Sequence, residues 1–281
     1  MPSHVNTGLD RLEKDWPKPL KAANIGLLVH PASINSEYIH AAEIFFKTKK
    51  CRLSALFGPQ HGIKGETQDN MIEWEGSRDS ATGLPVYSLY GKNRKPLPSM
   101  LADVDAMVID MQDVGARYYT FIWTMALVME ACHEQNKAVV VLDRPNPIGG
   151  EIIEGPVLQP EYASFVGLRS LPVRHGMTIA EVALYLKDIY NPGLSLHIIA
   201  MEGWKRRMCF DDSGLPWVFP SPNMPTVETA AVYPGMCLLE ATNLSEGRGT
   251  TRPFEIFGAP FIHPDTLVKR LRESRLPGVI F

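Results

Sequence analysis

The sequence predicts an α/β protein in which a doubly wound parallel sheet is followed by a smaller α+β domain. Between residues 24 and 150, short apolar runs alternate with stretches whose apolar residues recur at helical spacing. Such strand–helix–strand alternation is typical of a parallel sheet covered by helices. After Gly150, prolines and glycines become frequent and the apolar runs become shorter. We therefore predict a sheet domain over residues 1–150 and a second domain over residues 151–281.

Short buried strands and two helices account for the first half. Each predicted strand is an apolar run that stops at a turn or a polar loop, as expected for strands buried on both faces. The predicted helices, over residues 36–50 and 120–136, have apolar residues at helical spacing. The predicted strands cover residues 24–31, 51–59, 84–91, 104–115 and 138–150.

The second half contains fewer regular elements. We predict a helix over residues 177–190, where Thr178 and Glu181 have the spacing of a capping box. A strand is predicted over residues 194–201 and a late helix over residues 263–274. Two long polar loops, of a length that is usually functional in a compact domain, cover residues 219–230 and 242–260.

The charge balance gives no reason to expect nucleic acid or an anionic membrane as a partner. The chain has 281 residues, with 28 Lys+Arg against 31 Asp+Glu and a net charge of −3, whereas nucleic-acid-binding surfaces are normally basic. No run approaches the roughly 18 apolar residues of a membrane span. The N-terminus lacks the apolar centre of a signal peptide, which predicts a cytoplasmic protein as written, or a periplasmic or secreted one if the start was trimmed. The oligomeric state is left open.

The cysteines predict neither a zinc knuckle nor a redox motif, because none of them belongs to a C-x-x-C pair. Each has apolar or small neighbours, which favours reduced core cysteines over a disulfide or a nucleophile. The four cysteines are Cys51, Cys132, Cys209 and Cys237.

Polar and charged side chains are concentrated where three of the predicted strands end. These ends read GPQHG, DMQDVGARYY and LDRPNP. Because ligands of open α/β sheets bind beyond the carboxyl ends of the strands, we expect these side chains to share one rim and to form a site. They are Gln60, His61, Asp110, Gln112, Asp113, Arg117, Tyr118, Asp143, Arg144 and Asn146.

The sequence lacks the motifs of common cofactor sites, and we expect neither a cofactor nor a metal. No G-x-G-x-x-G follows the first strand, and no G-x-x-x-x-G-K-[ST] phosphate loop or G-x-S-x-G nucleophile elbow occurs. We therefore interpret the carboxylates and histidines of the rim as the lining of a pocket of the size of a polyol.

Several candidate residues have an ordinary structural alternative. Asp113 could cap the helix that follows it, and His61 could satisfy a buried backbone group. Arg144 could form a structural ion pair with Asp143. Glu246 could pair with a neighbouring arginine on a solvated loop, although a loop so rich in side-chain donors and interrupted by glycines is more often a ligand clamp.

Seven strings of the sequence resemble a known family. They are GPQHGIKGE, QDVGARYYTFIWTM, LDRPNPIGG, EGPVL, PVRHGMT, GLPWVFPSPNMPT and NLSEGRGTTRPFEIFGAPFI. These strings are similar to the NamZ-type exo-β-N-acetylmuramidases, glycoside hydrolases long described only as a domain of unknown function. The resemblance implies a Rossmann-like first domain, a smaller second domain that continues beyond Phe281, and a cleft between the two.

The activity that this resemblance implies is hydrolysis of a terminal N-acetylmuramic acid from peptidoglycan fragments, in cell-wall turnover or recycling. The implied substrate is a muropeptide or a disaccharide of N-acetylmuramic acid and N-acetylglucosamine. Arginines suit the lactyl carboxylate of muramic acid, because the guanidinium fork matches a carboxylate; the candidates are Arg117, Arg144 and Arg248. Further candidate substrate contacts are Gln60, His61, Tyr118, Asn146, His175 and Asn223.

One position departs from the family pattern. Where the loop of the family reads PEHG and its glutamate is the favoured catalytic residue, this sequence has Gln60. An amide can neither protonate a leaving oxygen nor act as a carboxylate base. The resemblance then leaves three candidate catalytic residues. Glu246 or Glu66 would protonate the glycosidic oxygen, and Asp113 would activate water or stabilise the transition state.

Two other classes of protein stay open. A metal-dependent hydrolase could use His61, Asp110, Asp113 and His175 as ligands, and activity in excess chelator would exclude it. A non-catalytic muropeptide-binding protein, in which Gln60 marks lost chemistry, would bind the sugar without turnover.

Overall fold

The computed structural model describes residues 4–67, 73 and 75–277, and within them the chain is organised around one seven-stranded sheet. The strands are β1 Asn24–Leu28, β2 Arg52–Gly58, β3 Ser77–Arg78, β4 Pro85–Ser88, β5 Ala106–Asp110, β6 Ala138–Leu142 and β7 Leu196–Ile199. Their spatial order is β3-β4-β2-β1-β5-β6-β7. Every neighbouring pair is parallel except β3 with β4.

Helices cover both faces of the sheet. They are α1 Gly8–Arg11, α2 Ala41–Lys47, α3 Phe121–Glu134, α4 Ile179–Tyr190, α5 Val227–Met236 and α6 Pro264–Glu273. On one face, Leu9 of α1 and Phe45 of α2 belong to a buried apolar cluster with the strands. On the other face, Trp123 of α3 and Val182 of α4 belong to a second cluster. The predicted doubly wound α/β class is confirmed.

Each strand and helix predicted from the sequence has a counterpart, and within the described residues one strand and two α-helices were missed. Strand β3 has only two residues and α1 only four, too few for a recognisable period. Helix α5 begins inside the predicted loop 219–230, where its N-cap Thr226 accepts a hydrogen bond from the N–H of Thr229. That helix contains Pro234, and the surrounding prolines favour a loop on sequence grounds. The loop prediction was wrong from residue 227 onward.

Helix α4 and strand β7 follow residue 150, yet they complete the sheet and its covering layer. Strand β7 pairs in parallel with β6, with Val139 opposite Leu196. Ile179 and Val182 of α4 lie in the same buried cluster as α3. The sheet therefore extends past the residue at which the sequence places the end of the sheet domain, and the division into two domains stays a prediction.

Aromatic contacts join the last part of the described chain to the sheet layer. The ring of Tyr233, in α5, lies 6.0 Å from that of Tyr119 and 4.8 Å from that of Phe254, both centroid to centroid. Tyr119 in turn lies 4.6 Å from Phe121, the first residue of α3. Tyr233 and, through it, Phe254 are thus joined to the start of α3, at the carboxyl edge of the sheet. In the described part of the chain, no helix is long and apolar enough to span a membrane.

Candidate active site

A cavity of about 530 Å³ opens beyond the carboxyl ends of the parallel strands. Its wall combines residues that follow β2, β4 and β5 with residues of the segments 164–166, 221–224 and 233–254. This is the edge at which open α/β sheets bind ligands, and the volume lies within the range of about 300–1,000 Å³ that is usual for small-molecule sites. The structure therefore has a ligand-sized cavity at the rim that the sequence predicts.

The predicted site residues divide between this cavity and the structure beneath it. The ones that line the cavity are Gln60, His61, Tyr118, Asn223 and Arg248. The ones that do not line it are Glu66, Asp113, Arg117, Arg144, Asn146, His175 and Glu246.

Gln60 links the loop after β2 to the start of α3. The side chain is buried, and its amide oxygen accepts a hydrogen bond of 2.8 Å from the hydroxyl of Thr120. Thr120 is the N-cap residue of α3. A carboxylate at position 60 could accept the same hydrogen bond, since both groups present an sp² oxygen. The hydrogen bond from Thr120 is therefore compatible with either side chain.

His61 follows in a tight turn that depends on left-handed backbone. His61 has φ +71°, and Gly62 and Gly65 have φ +80° and +67°, a conformation that glycine adopts without steric cost. The ring Nδ1 of His61 lies 2.5 Å from the carbonyl oxygen of Thr67. Because a carbonyl only accepts, Nδ1 carries the proton. His61 thus binds a backbone carbonyl, as the structural alternative expects, although Thr67 is only partly buried; His61 also lines the cavity.

Asp113 and His175 form a buried pair outside the cavity wall. Nδ1 of His175 accepts from the N–H of Met177 at 3.2 Å, so Nε2 carries the proton and donates to Asp113 Oδ2 at 3.1 Å. The same Oδ2 accepts from the N–H of Gly115 at 2.7 Å. Asp113 Oδ1 is buried and has no hydrogen-bond partner within the described residues. Asp113 does not cap α3, whose N-cap is Thr120.

Arg144 and Asp110 form a buried bidentate ion pair. Arg144 Nε and Nη2 lie 2.5 and 2.8 Å from the two carboxylate oxygens of Asp110, and Nη2 also donates to the carbonyl of Ile34. An ion pair was the structural alternative for Arg144, but its predicted partner, Asp143, was wrong. Asp143 instead accepts from the backbone N–H of Arg144 at 3.0 Å.

Arg117 and Asn146 are bound to backbone carbonyls. Arg117 Nη1 donates to the carbonyls of Pro156 and Leu171, at 2.8 and 2.5 Å. Asn146 Nδ2 donates to the carbonyl of Met177 at 3.0 Å. Both side chains therefore tie the strand-end loops to the segment that precedes α4. Their role as substrate contacts stays a prediction.

The predicted carboxylate of the second half, Glu246, lies beside Arg248. Glu246 is buried, and its Oε1 lies 2.8 Å from Nε of Arg248. Nη2 of Arg248 lies 2.5 Å from Oε1 of Glu240, which lines the cavity. Glu66 is exposed. Among the described residues that line the cavity, Glu240 is the one carboxylate.

The four side chains of the metal alternative are not gathered in one place. Asp110 is paired with Arg144, and Asp113 with His175. Within residues 4–67, 73 and 75–277, no three His, Cys, Asp or Glu side chains come together as ligands.

Several residues of the wall were not predicted from the sequence: Thr120, Glu240, Tyr90, Arg94 and Phe165. Tyr90 and Arg94 follow β4, whose carboxyl end the strand prediction had already placed near residue 91, so the rule used for the other strands could have found them. Glu240 and Phe165 carried no signal, because only tertiary packing brings them to the cavity.

The fold and the site define a doubly wound α/β protein with a ligand cavity at the carboxyl edge of its sheet. Family models for the N-terminal and C-terminal parts of the exo-β-N-acetylmuramidase NamZ match residues 25–228 and 231–281. The chain belongs to the NamZ family, which confirms the resemblance.

Three relatives illustrate this membership. The peptidoglycan β-N-acetylmuramidase NamZ of Bacillus subtilis (strain 168) is 51% identical over 277 residues, which cover 99% of this chain and 67% of that protein. A crystal structure of a DUF1343 family protein from Bacteroides fragilis NCTC 9343 has a TM-score of 0.92 and 40% identity, covering 99% of this chain and 71% of that one. A second DUF1343 protein from the same organism has a TM-score of 0.80 and 32% identity, covering 93% and 69%.

Proposed function

We propose that this protein is an exo-acting glycoside hydrolase that releases terminal N-acetylmuramic acid from peptidoglycan fragments during cell-wall recycling. The observation that carries the proposal is the cavity of about 530 Å³ at the carboxyl edge of the sheet, lined by the loop of Gln60 and His61. That loop lies in a chain 51% identical to a peptidoglycan β-N-acetylmuramidase. The substrate is a muropeptide or the disaccharide of N-acetylmuramic acid and N-acetylglucosamine.

The wall of the cavity suits a sugar. The wall contains aromatic rings, among them Tyr90, Tyr118 and Phe165, together with polar groups such as Asn223 and Ser221. Aromatic faces pack against the C–H faces of a sugar ring, while a few polar groups fix the orientation of its hydroxyls.

Hydrolysis of a glycosidic bond needs one carboxyl group that protonates the leaving oxygen and a second that activates water or stabilises the transition state. Gln60 can do neither. The proposed acids are Glu246 and Glu66, and Asp113 is the proposed second carboxylate. The place of Glu240 in the cavity wall, bound to the same arginine as Glu246, adds it to the acids that need testing.

The experiment is turnover of a chromogenic β-N-acetylmuramide by the native chain and by Glu246→Gln, Glu66→Gln, Glu240→Gln and Gln60→Glu. Gln159→Glu, an exposed amide outside the cavity, is the matched control for the last variant. Loss of the essential acid is expected to lower kcat by about 100- to 10,000-fold. Gln60→Glu is expected to fold normally, because Thr120 can donate to either side chain.

A second candidate function is muropeptide binding without turnover, which the amide of Gln60 favours. This function predicts that the native chain is inactive, that Gln60→Glu is active and that Gln159→Glu is inactive. Native activity that one carboxylate variant abolishes would exclude it. Inactivity of every variant, with no binding of N-acetylmuramic acid, would overturn both functions.

A further inference from the structure

We propose that Arg94 binds the carboxylate of the substrate and makes the site selective for an N-acetylmuramic acid unit over an N-acetylglucosamine unit. The proposal rests on the proposed function, because it assigns the recognition of the lactyl group within the same cavity. Arg94 lines that cavity, beyond the carboxyl end of β4.

The three arginines predicted for this role already have strong partners. Arg144 is bound by both oxygens of Asp110, and Arg117 donates to two backbone carbonyls. Arg248 lines the cavity but lies within 2.8 Å of Glu246 and 2.5 Å of Glu240. An anionic ligand that approached Arg248 would meet these two carboxylates as well.

Arg94 differs because its contacts are aromatic. Its guanidinium carbon lies 4.3 Å from the ring centroid of Phe165 and 5.1 Å from that of Tyr90. Within the described residues, no carboxylate lies within 4.0 Å of Arg94 and no hydrogen bond from its guanidinium is present. Arg94 is therefore a positive charge of the cavity wall that no described carboxylate neutralises.

The two rings position this charge for a ligand. Tyr90 and Phe165 lie 5.9 Å apart and both line the cavity. Cation–π contacts restrict the guanidinium without using its N–H donors, so less side-chain entropy is lost when a ligand binds. The in-plane N–H groups of an arginine match the two oxygens of a carboxylate.

The chemistry of the two sugars supplies the selectivity. N-acetylmuramic acid carries a lactyl ether with a carboxylate, and N-acetylglucosamine has a hydroxyl in its place. A charge-assisted pair with Arg94 is available only to the first sugar. The rest of the ring can use the same aromatic and polar wall in both cases, so the difference between the two affinities reports on the carboxylate.

The test is calorimetric binding of N-acetylmuramic acid and N-acetylglucosamine to the full chain, comparing the native protein with Arg94→Met, Arg94→Lys and Lys92→Met. Lys92→Met removes a charge from an exposed side chain of the same loop that does not line the cavity. We expect Arg94→Met to weaken the binding of N-acetylmuramic acid by about 10- to 100-fold. The affinity for N-acetylglucosamine should stay within about twofold, as should both affinities in Lys92→Met.

Arg94→Lys is expected to retain part of the preference, since a lysine keeps the charge but not the fork. Circular dichroism and the thermal midpoint establish that each variant folds. Equal weakening of both sugars in Arg94→Met would overturn the proposal, because it would mean that Arg94 only supports the wall. If the native protein prefers N-acetylmuramic acid and Arg94→Met binds that sugar equally well, the proposal about Arg94 is overturned and the proposed function stands. A native chain that binds neither sugar would overturn the proposal about Arg94, and it would overturn the proposed function as well if it is also inactive on the chromogenic β-N-acetylmuramide.

Discussion

Asp143 illustrates how the fold changes the chemistry of one residue. Burial raises the pKa of this carboxyl from 3.8 to about 6, against the opposing effect of hydrogen bonds from the N–H of Ala180, the hydroxyl of Thr178 and the N–H of Arg144. The folded state therefore keeps a proton between pH 3.8 and 6 that the unfolded state has released. The stabilisation that the protonated Asp143 gives the folded state is complete below pH 3.8 and is lost as the pH rises through 6.

Replacement of Asp143 by asparagine should remove this pH dependence. The amide oxygen can still accept from Ala180 and Arg144, but it does not titrate. A pKa shift of one unit corresponds to about 1.4 kcal/mol. Between pH 4 and pH 7, the difference in the free energy of unfolding between Asp143→Asn and the native protein should therefore change by about 2–3 kcal/mol in favour of the variant. Guanidinium denaturation across this range measures the difference, with the exposed Asp211→Asn as control. A difference that stays constant with pH would contradict the expectation.

At the scale of residues, the sequence identified polar side chains at strand ends but could not assign their partners. Asp110 and Arg144 were both predicted for the rim, and they are bound to each other across 34 positions of sequence. Arg94 went unnoticed, although it follows a predicted strand. Which of these arginines stays available to a ligand depends on contacts between distant segments, and the order of residues in a single sequence carries no record of them.

The elements show how local signals set helix boundaries. Helix α4 begins with a reciprocal capping box: the N–H of Glu181 donates to the hydroxyl oxygen of Thr178 at 3.3 Å, and the N–H of Thr178 donates to Glu181 Oε2 at 2.9 Å. Glu181 is also paired with Arg206. The sequence predicted this box from spacing alone, and the prediction is confirmed.

Thr178→Ala should destabilise the protein by about 1 kcal/mol, because the first turn of α4 loses its side-chain acceptor. Thr178→Ser should restore most of the loss, since the hydroxyl is kept. Thermal and chemical unfolding of the three proteins measure the effect. Equal stability of Thr178→Ala and Thr178→Ser would mean that the hydroxyl contributes nothing and that the beginning of α4 is fixed by packing.

Helices with a strong apolar periodicity could be located from the sequence, and those with a weak one could not. The strongly apolar α3, which buries ten of its 14 residues, was located to within two residues at each end. Helix α5 was not, because its capping residue Thr226 and internal Pro234 stand in a proline-rich stretch that also fits a loop. Its position is set by the packing of Tyr233 on Tyr119, a contact between distant parts of the chain.

At the scale of the molecule, the cavity is a joint product of both halves of the chain. Gln60, Arg94 and Tyr118 come from the first half, and Asn223 and Arg248 from the second. The sequence could predict the sheet and the edge of it that binds a ligand, because both follow from the order of the elements. It could not predict how residues 233–254 reach the cavity, since they form only the end of α5, a short 3-10 helix over Cys237–Ala241 and an irregular segment.

A ligand that contacts both halves should stabilise the whole molecule. The contacts of Tyr233 with Tyr119 and Phe254 join the last segments to the sheet layer, so we expect one unfolding transition. N-acetylmuramic acid at about 100 times its Kd should add about 2.7 kcal/mol to the free energy of unfolding and raise the thermal midpoint by about 5 °C. Scanning calorimetry measures both, with mannitol at equal concentration as the control for non-specific stabilisation. Two transitions, of which only one shifts with the sugar, would mean that the halves unfold separately and that the ligand binds only one of them.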